Sequence, residues 1–375
     1  MQPRDPIAAV THPDPYPYYD QLLERAPLHF DSGLNAWIAS RAEVIEEVLG
    51  NPECRVRPLT EPVPKAILGD ASGDIFARLI RMNEGAAHAD GKRIVGRALA
   101  AIDAATVTAC ASEAAIELAR DRDLDDVAAL NAWIAALPAW TVARLLGIGR
   151  PELGEIGKLT AAFVQCLSPL AGPEQLAHAD SAARALRGQM DALLGAQREA
   201  GSLLDHLTRQ PWLDHDGLCA NLVGLLSQSH DATAGLIGNS VVHLLRAPHT
   251  LNSLRAEQAL AANVVRHVIR FDPPVHNTRR FVGAPTAIAQ QLLQRGEAIV
   301  LVLAADRRGG KQLGFGAGHH ACPGQNMASI IATSALSYLL TTHRLPDSGT
   351  TGWRYRPSVN ARLPLFYSRS AKGTP

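Results

Sequence analysis

Residues 314–328 read GFGAGHHACPGQNMA, gathering a cysteine, two histidines and several glycines at the mouth of an apolar run. Pro323 follows Cys322 directly, and its fixed φ suits the first position of a helix. The segment GQNMASIIATSALSYLL then continues as an apolar helix. This order predicts Cys322 at or beside a helix N-cap, facing unpaired N–H groups and the positive end of the helix dipole. Both effects favour thiolate over thiol. Gly316, Gly318 and Gly324 take side chains away where a flat ligand would press on the backbone. A thiolate open on one side suits an axial ligand of haem iron, donating electron density that favours O–O cleavage. Two other readings share these residues: a buried cysteine that caps a helix, and a zinc site drawn from His319, His320 and Cys322. Against zinc, no second Cys/His cluster at ligand spacing accompanies them.

The elements that must position this stretch are mainly helical. Ala, Leu, Arg and Glu dominate and apolar residues recur every three to four positions, as in 128–149 and 181–201. Residues 217–247 predict a helix about 45 Å long that is apolar nearly all round and therefore runs through the core. Strand signals are few: AWIAS near residue 36, EAIVLVLA at 297–304 and RLPLFYS at 362–368. No repeat, linker or charge block marks a boundary, so residues 1–375 read as one mainly α unit with small β-sheets.

Composition excludes other classes. Thirty-six basic and 36 acidic residues cancel, and aromatic residues make up only 5%, so neither a basic stripe nor stacking platforms for nucleic acid are expected. The N-terminal MQPRDPIAAVTHPDPYPYYDQ lacks the basic and apolar regions of a leader, and no apolar run reaches about 18–20 residues, so no membrane contact is expected. Five scattered cysteines (54, 110, 166, 219 and 322) fit free thiols in a reducing cytoplasm.

FGAGHHACPG at 315–324 matches all six fixed letters of the haem-ligand signature F-G-x-G-x-H-x-C-x-G, and here the chain resembles the cytochromes P450. Other segments correspond in chain order: DPYPYYDQLLERAPLHF to the family's N-terminal entry, LNAWIASRAEVIEEVL to its first strand and helix, and HADGKR to its haem-contacting C helix. LLSQSHDATAGLIGN corresponds to its I helix and HVIRFDPPV to its K helix. The resemblance implies a triangular helical prism holding haem b (iron protoporphyrin IX) between the I helix and the L helix with its cysteine loop. It makes Cys322 the axial iron ligand, with Phe315, Gly316 and Gly324 around it. It makes His88, Lys92, Arg93, Arg280 and His320 candidates for the propionates, although Lys is a point charge and cannot grip bidentately as Arg can.

Three departures accompany the resemblance. The K helix normally carries Glu-x-x-Arg; here the spacing gives His267-Val-Ile-Arg270, which supplies no countercharge. The irregular meander that normally precedes the cysteine loop is shortened within LAADRRGGKQLGFGAG. The I helix, usually Ala/Gly-Gly-x-Asp/Glu-Thr with an acid–alcohol pair relaying protons, reads Gln228-Ser229-His230-Asp231-Ala232-Thr233. Asp231 takes the acid position, Ala232 the alcohol position, and Thr233 lies about 100° further round the helix. Gln228 and Ser229 either place a water or substrate hydroxyl, or bond locally within the helix. Val275, His276 and Asn277 stand where the family contacts substrate, and the two polar residues predict a hydrogen-bonding substrate.

The function implied is oxidation of a specific small molecule in specialised metabolism, by oxygen insertion or oxidative coupling, as a monooxygenase. Electrons would come from a separate ferredoxin and ferredoxin reductase, and the substrate would arrive free or tethered to a carrier protein. Two further readings stand beside it: a haem-thiolate enzyme using peroxide or performing isomerisation, dehydration or radical coupling, and a non-catalytic haem- or partner-binding homologue.

Overall fold

The computed structural model of the chain describes residues 2–247, 258–307, 311–342 and 344–369. Two short helices open it, α1 (Pro6–Ala9) and α2 (Tyr16–Glu24), followed after a strand pair by α3 (Ala42–Gly50) and α4 (Ala71–Arg78). The helical body comprises α5 (Gly85–Ala101), α6 (Ala104–Ala119), α7 (Val127–Leu145), α8 (Arg150–Phe163), α9 (Pro173–Gly195), α10 (Leu203–Thr208) and α11 (His215–Arg246). Near the C-terminal end come α12 (Gln258–Phe271) and α13 (Gln325–Thr341). Aspartates start four of these helices: the Asp5, Asp103, Asp126 and Asp214 side chains accept from backbone N–H groups in the first turns of α1, α6, α7 and α11. Each such cap contributes about 1 kcal/mol and sets where its helix begins.

The expected long core helix is α11, 32 residues and roughly 48 Å at ~1.5 Å per residue. It packs on α7, α12 and α13 and is buried on nearly every side. Its middle is the exception. Leu225, Gln228, Ser229 and Ala232, at spacings of three and four, form one solvent-accessible stripe joined by Asp231. Further along, a Cβ on Gly238 would lie 2.6 Å from Pro364 Cγ, so this glycine is what lets a strand lie directly against the helix.

The strands are β1 (Leu28–Asp31), β2 (Ala36–Ala39), β3 (Cys54–Arg55), β4 (Thr278–Val282), β5 (Thr286–Ile288), β6 (Gln291–Leu293), β7 (Ala298–Leu301), β8 (Thr351–Tyr355) and β9 (Pro364–Ser368). The main sheet has the order β1-β2-β7-β4-β3, with β2 and β7 parallel (Ile38 opposite Val300) and the other pairs antiparallel. β5–β6 and β8–β9 form separate hairpins. All three strand segments expected from sequence are present.

The chain leaves β7 and reaches Leu313 with no helix or strand among the described residues between them; residues 308–310 of the expected short segment lie outside those described. His267 and Arg270 are correspondingly exposed on α12. His267 stacks on His243 and Phe271, with ring centroids 4.4 and 4.7 Å apart, while the Arg270 guanidinium lies 5.2 Å from the Phe271 ring centre. No ion pair joins this face to another among the described residues. Among the described residues, too, no single helix is long and apolar enough to cross a membrane.

Candidate haem-thiolate site

Cys322 sits in a loop. α13 begins at Gln325 with Gly324 as N-cap, so the cysteine lies two residues before the cap and Pro323 is not the first helical residue. The expected N-cap position is corrected accordingly. The loop closes on itself: Cys322 N–H donates to Phe315 O at 2.9 Å, Gly316 N–H donates to Leu313 O at 2.8 Å, and residues Gly318–His320 make a single 3-10 turn. Gly318 has φ +64°, and a Cβ there would meet Leu49 O at 2.7 Å. That glycine thus answers the loop's own curvature and its docking on α3, rather than the approach of a flat ligand. Gly324 places its N–H on the cysteine sulfur, with its own Cβ position 4.0 Å from Sγ.

The thiol is exposed to solvent yet hemmed by protein. Burial pushes its pKa up, and the Gly324 N–H and the Lys92 ammonium offset this only in part. The expectation of a thiol already depressed by a helix dipole is not met, because the sulfur lies outside the helix end. A metal ion at Sγ would supply the missing positive charge, since coordination displaces the thiol proton.

Basic residues converge beside the loop, though unequally. Lys92 on α5 donates to Ala321 O at 2.7 Å and also to His319 O, stitching α5 to the cysteine loop. His88, one turn earlier and 4% exposed, stacks on His320 with ring centroids 3.9 Å apart. Burial, together with the neighbouring His320 and Lys92, holds the His88 pKa down at about 4, so its imidazole is neutral. His320 lies 3.1 Å from Glu84, and His319 3.7 Å from the same carboxylate. Burial favours the neutral acid in Glu84, but the His320 bond, the Val56 N–H and both histidines outweigh it and keep its pKa low. Arg93 does not join this group: it faces outward in an exposed ion pair with Asp90 at 3.0 Å. It stands about 100° round the helix from Lys92, which removes it from the shared face.

Arg280 on β4 is the residue most in need of a ligand. It is 5% exposed, donates to Arg279 O at 2.8 Å and Thr278 Oγ1 at 3.3 Å, and has its Nε buried without a partner. No carboxylate among the described residues is within ion-pair distance of it. A buried guanidinium without countercharge is costly, so this geometry fits an anionic ligand such as a propionate. The accessible thiol, the N–H on its sulfur and the unpaired guanidinium together fit haem.

On α11 the expected proton-handling residues separate. Asp231 accepts from His230 Nδ1 at 2.8 Å and forms an ion pair with Arg356, which follows β8. Burial would raise the Asp231 pKa, but His230 and the Arg356 charge outweigh it and keep the carboxyl ionised. Gln228 Nε2 donates to Gly224 O at 3.0 Å and Ser229 Oγ to Leu226 O at 2.8 Å, so both bond within the helix while facing the accessible stripe. Ala232 lies on the stripe; Thr233 is 3% exposed and turned into the core.

The expected substrate contacts are corrected. His276 is fully buried, with Nδ1 2.8 Å from Tyr19 Oη, and Asn277, 2% exposed, donates to Val359 O at 2.8 Å. Val275 packs on the main sheet and bridges Ala361. All three pack into the turn after α12; His276 Nδ1 and the Asn277 amide are bonded within the protein, while His276 Nε2 is buried without a hydrogen-bond partner. Sequence reading missed Glu84 and Arg356. Glu84 stands four residues before His88, a spacing that places them one turn apart, whereas nothing local marks Arg356 as the partner of Asp231.

No family model matches the chain. Over nearly its whole length, however, it is 24% identical to a putative cytochrome P450 133B2 of Xylella fastidiosa, covering 95% of this chain and 97% of that one. It is 26% identical to the mycinamicin VIII C21 methyl hydroxylase of Micromonospora griseorubida, covering 88% of each. The fold matches the crystal structure of P450BioI in complex with hexadec-9Z-enoic acid ligated acyl carrier protein, with a TM-score of 0.78, 20% identity and coverage of 94% and 96%. A long core helix, a glycine-turned cysteine loop and a cradle of basic groups are the features that this likeness brings together. Over nearly its whole length the chain is thus similar to cytochromes P450 and shares their fold, and haem is the cofactor that this likeness implies.

Proposed function

We propose that this protein binds haem b through Cys322 and oxidises one particular small molecule of specialised metabolism, by oxygen insertion or oxidative coupling. Electrons would come from a separate ferredoxin and its reductase in the cytoplasm. The observation that carries this reading is the accessible Cys322 thiol, supported by the Gly324 N–H and flanked by a buried guanidinium that has no carboxylate of its own. Haem, when bound, supplies the oxygen-activating chemistry.

The chain's residues would do the rest. Gly324 N–H holds negative charge on Sγ, and Lys92 fixes the loop through two carbonyls. Arg280 and His88 would engage the propionates, and Phe315 and Gly316 would line the ligand loop. Arg356 keeps Asp231 ionised at the edge of the stripe, where Gln228 and Ser229 can order water. With Ala232 in the alcohol position, protons must reach the reaction through that water or a substrate hydroxyl.

The mycinamicin relative supports a specialised-metabolism substrate, and the acyl carrier protein in the P450BioI complex supports a substrate delivered on a carrier. Ala232 favours a second reading, in which peroxide replaces dioxygen and reductase; supplying each in turn separates the two.

The decisive test is the reduced carbon-monoxide difference spectrum. Wild type should show the absorption band of thiolate-ligated haem, and Cys322→Ser should lose it. A band that persists in the variant overturns the assignment.

A further inference from the structure

A second ligand-type cluster lies away from the cysteine loop, where α9 meets the first turns of α11. His215 and Cys219 are four apart on α11 and so share one face, and Asp191 reaches across from α9. Three side chains of different chemistry meet at nearly one point. His215 Nε2 is 2.8 Å from Asp191 Oδ1, Cys219 Sγ is 3.1 Å from the same oxygen, and Sγ is 3.4 Å from His215 Nε2. We propose that Asp191, His215 and Cys219 form a zinc(II) site that clamps α9 onto α11.

The distances suit this. Tetrahedral zinc bound at about 2.0–2.3 Å to O, N and S has ligand–ligand edges of roughly 3.3–3.6 Å. The three observed separations fall at or a few tenths below that range, so small side-chain rotations open the triangle around an ion. Thiolate, imidazole and carboxylate together select a borderline-soft cation over calcium or magnesium. Charge balances as well: one thiolate and one carboxylate neutralise a dication, with His215 neutral. On binding, the Sγ proton now donated to Asp191 leaves to solvent as Sγ takes the metal.

The surroundings supply access and an open position. Side chains of His215 and Asp191 are 60% and 46% exposed, giving an entry path, while Cys219 is 2% exposed and anchors the site from within. With three protein ligands and two of them open to solvent, water would complete the tetrahedron. The nearby cation Arg187 is paired with Asp216, which also lies 3.8 Å from Arg78 on α4. Zinc here would thus tie α9 to α11 beside an ion-pair link to α4.

The test uses untagged, haem-loaded protein titrated with zinc chloride by calorimetry, and with cobalt(II) followed by absorption. One zinc per chain is expected, raising the midpoint of thermal unfolding, and cobalt should give a thiolate charge-transfer band. Cys219→Ser should abolish the band. His215→Ala, at an exposed position that leaves folding intact, should weaken zinc binding at least tenfold and remove the thermal shift. Absence of saturable one-to-one binding, or binding unchanged in His215→Ala, overturns the proposal.

Discussion

Replacing Arg280 by Met should move two properties in different directions. The guanidinium is buried, bonded to Thr278 Oγ1 and Arg279 O, and unpaired at Nε. A buried charge lacking a countercharge costs several kcal/mol, while methionine has a stem of similar length and no charge to desolvate. Haem-free Arg280→Met should therefore be at least as stable as wild type. In the haem-bound protein the same substitution would remove the charge-assisted bond to a propionate proposed for this residue, a loss of about 1.5–3 kcal/mol. At about 1.4 kcal/mol per factor of ten, haem affinity should fall roughly 10- to 150-fold. Haem transfer to excess apomyoglobin reads the second effect, and thermal unfolding of haem-free samples reads the first. If the variant holds haem as tightly as wild type, or if its haem-free form loses as much stability as its loaded form, the role given to this guanidinium is wrong.

Three other outcomes follow from the geometry. Arg362→Met strands the Asp272 carboxylate and the Val10, His12 and Pro13 carbonyls that this fully buried arginine serves, and should lower stability by about 3–5 kcal/mol in denaturant titrations. His267→Glu restores the usual Glu-x-x-Arg spacing but on an exposed face, where such a pair contributes only about 0.2–0.5 kcal/mol; a stability gain above ~1.5 kcal/mol would show that the motif still acts as a buried pair. Ala232→Thr puts an alcohol on the accessible stripe of α11 and should raise the fraction of electrons recovered in product; unchanged coupling would mean that proton delivery bypasses this position.

Local patterns carried most of the architecture. Apolar periodicity located α7, α9 and α11 to within a turn or two, except that α9 starts well before the expected segment, its Pro173 opening lying outside it. Short apolar and aromatic runs located β2, β7 and β9. The cysteine loop was legible because its glycines and its cysteine are contiguous. What the sequence hid depends on partners far along the chain. His276 reads as a polar loop residue until Tyr19, 257 positions away, is seen to bond its ring. Asp231 reads as an isolated acid until Arg356 is placed beside it. Pro323 misled for a different reason: its ring suits a first helical turn, but Phe315 O holds the adjacent cysteine N–H in the loop, and the helix waits for Gln325.

The contacts of Arg362 bear on how the chain is made. Its guanidinium takes carbonyls of Val10, His12 and Pro13, some 350 positions earlier, and the same knot draws in Tyr16 through Asp272. During synthesis the amino-terminal segment emerges long before the arginine that seats it. Its anchoring by this arginine thus waits until residue 362 has been made.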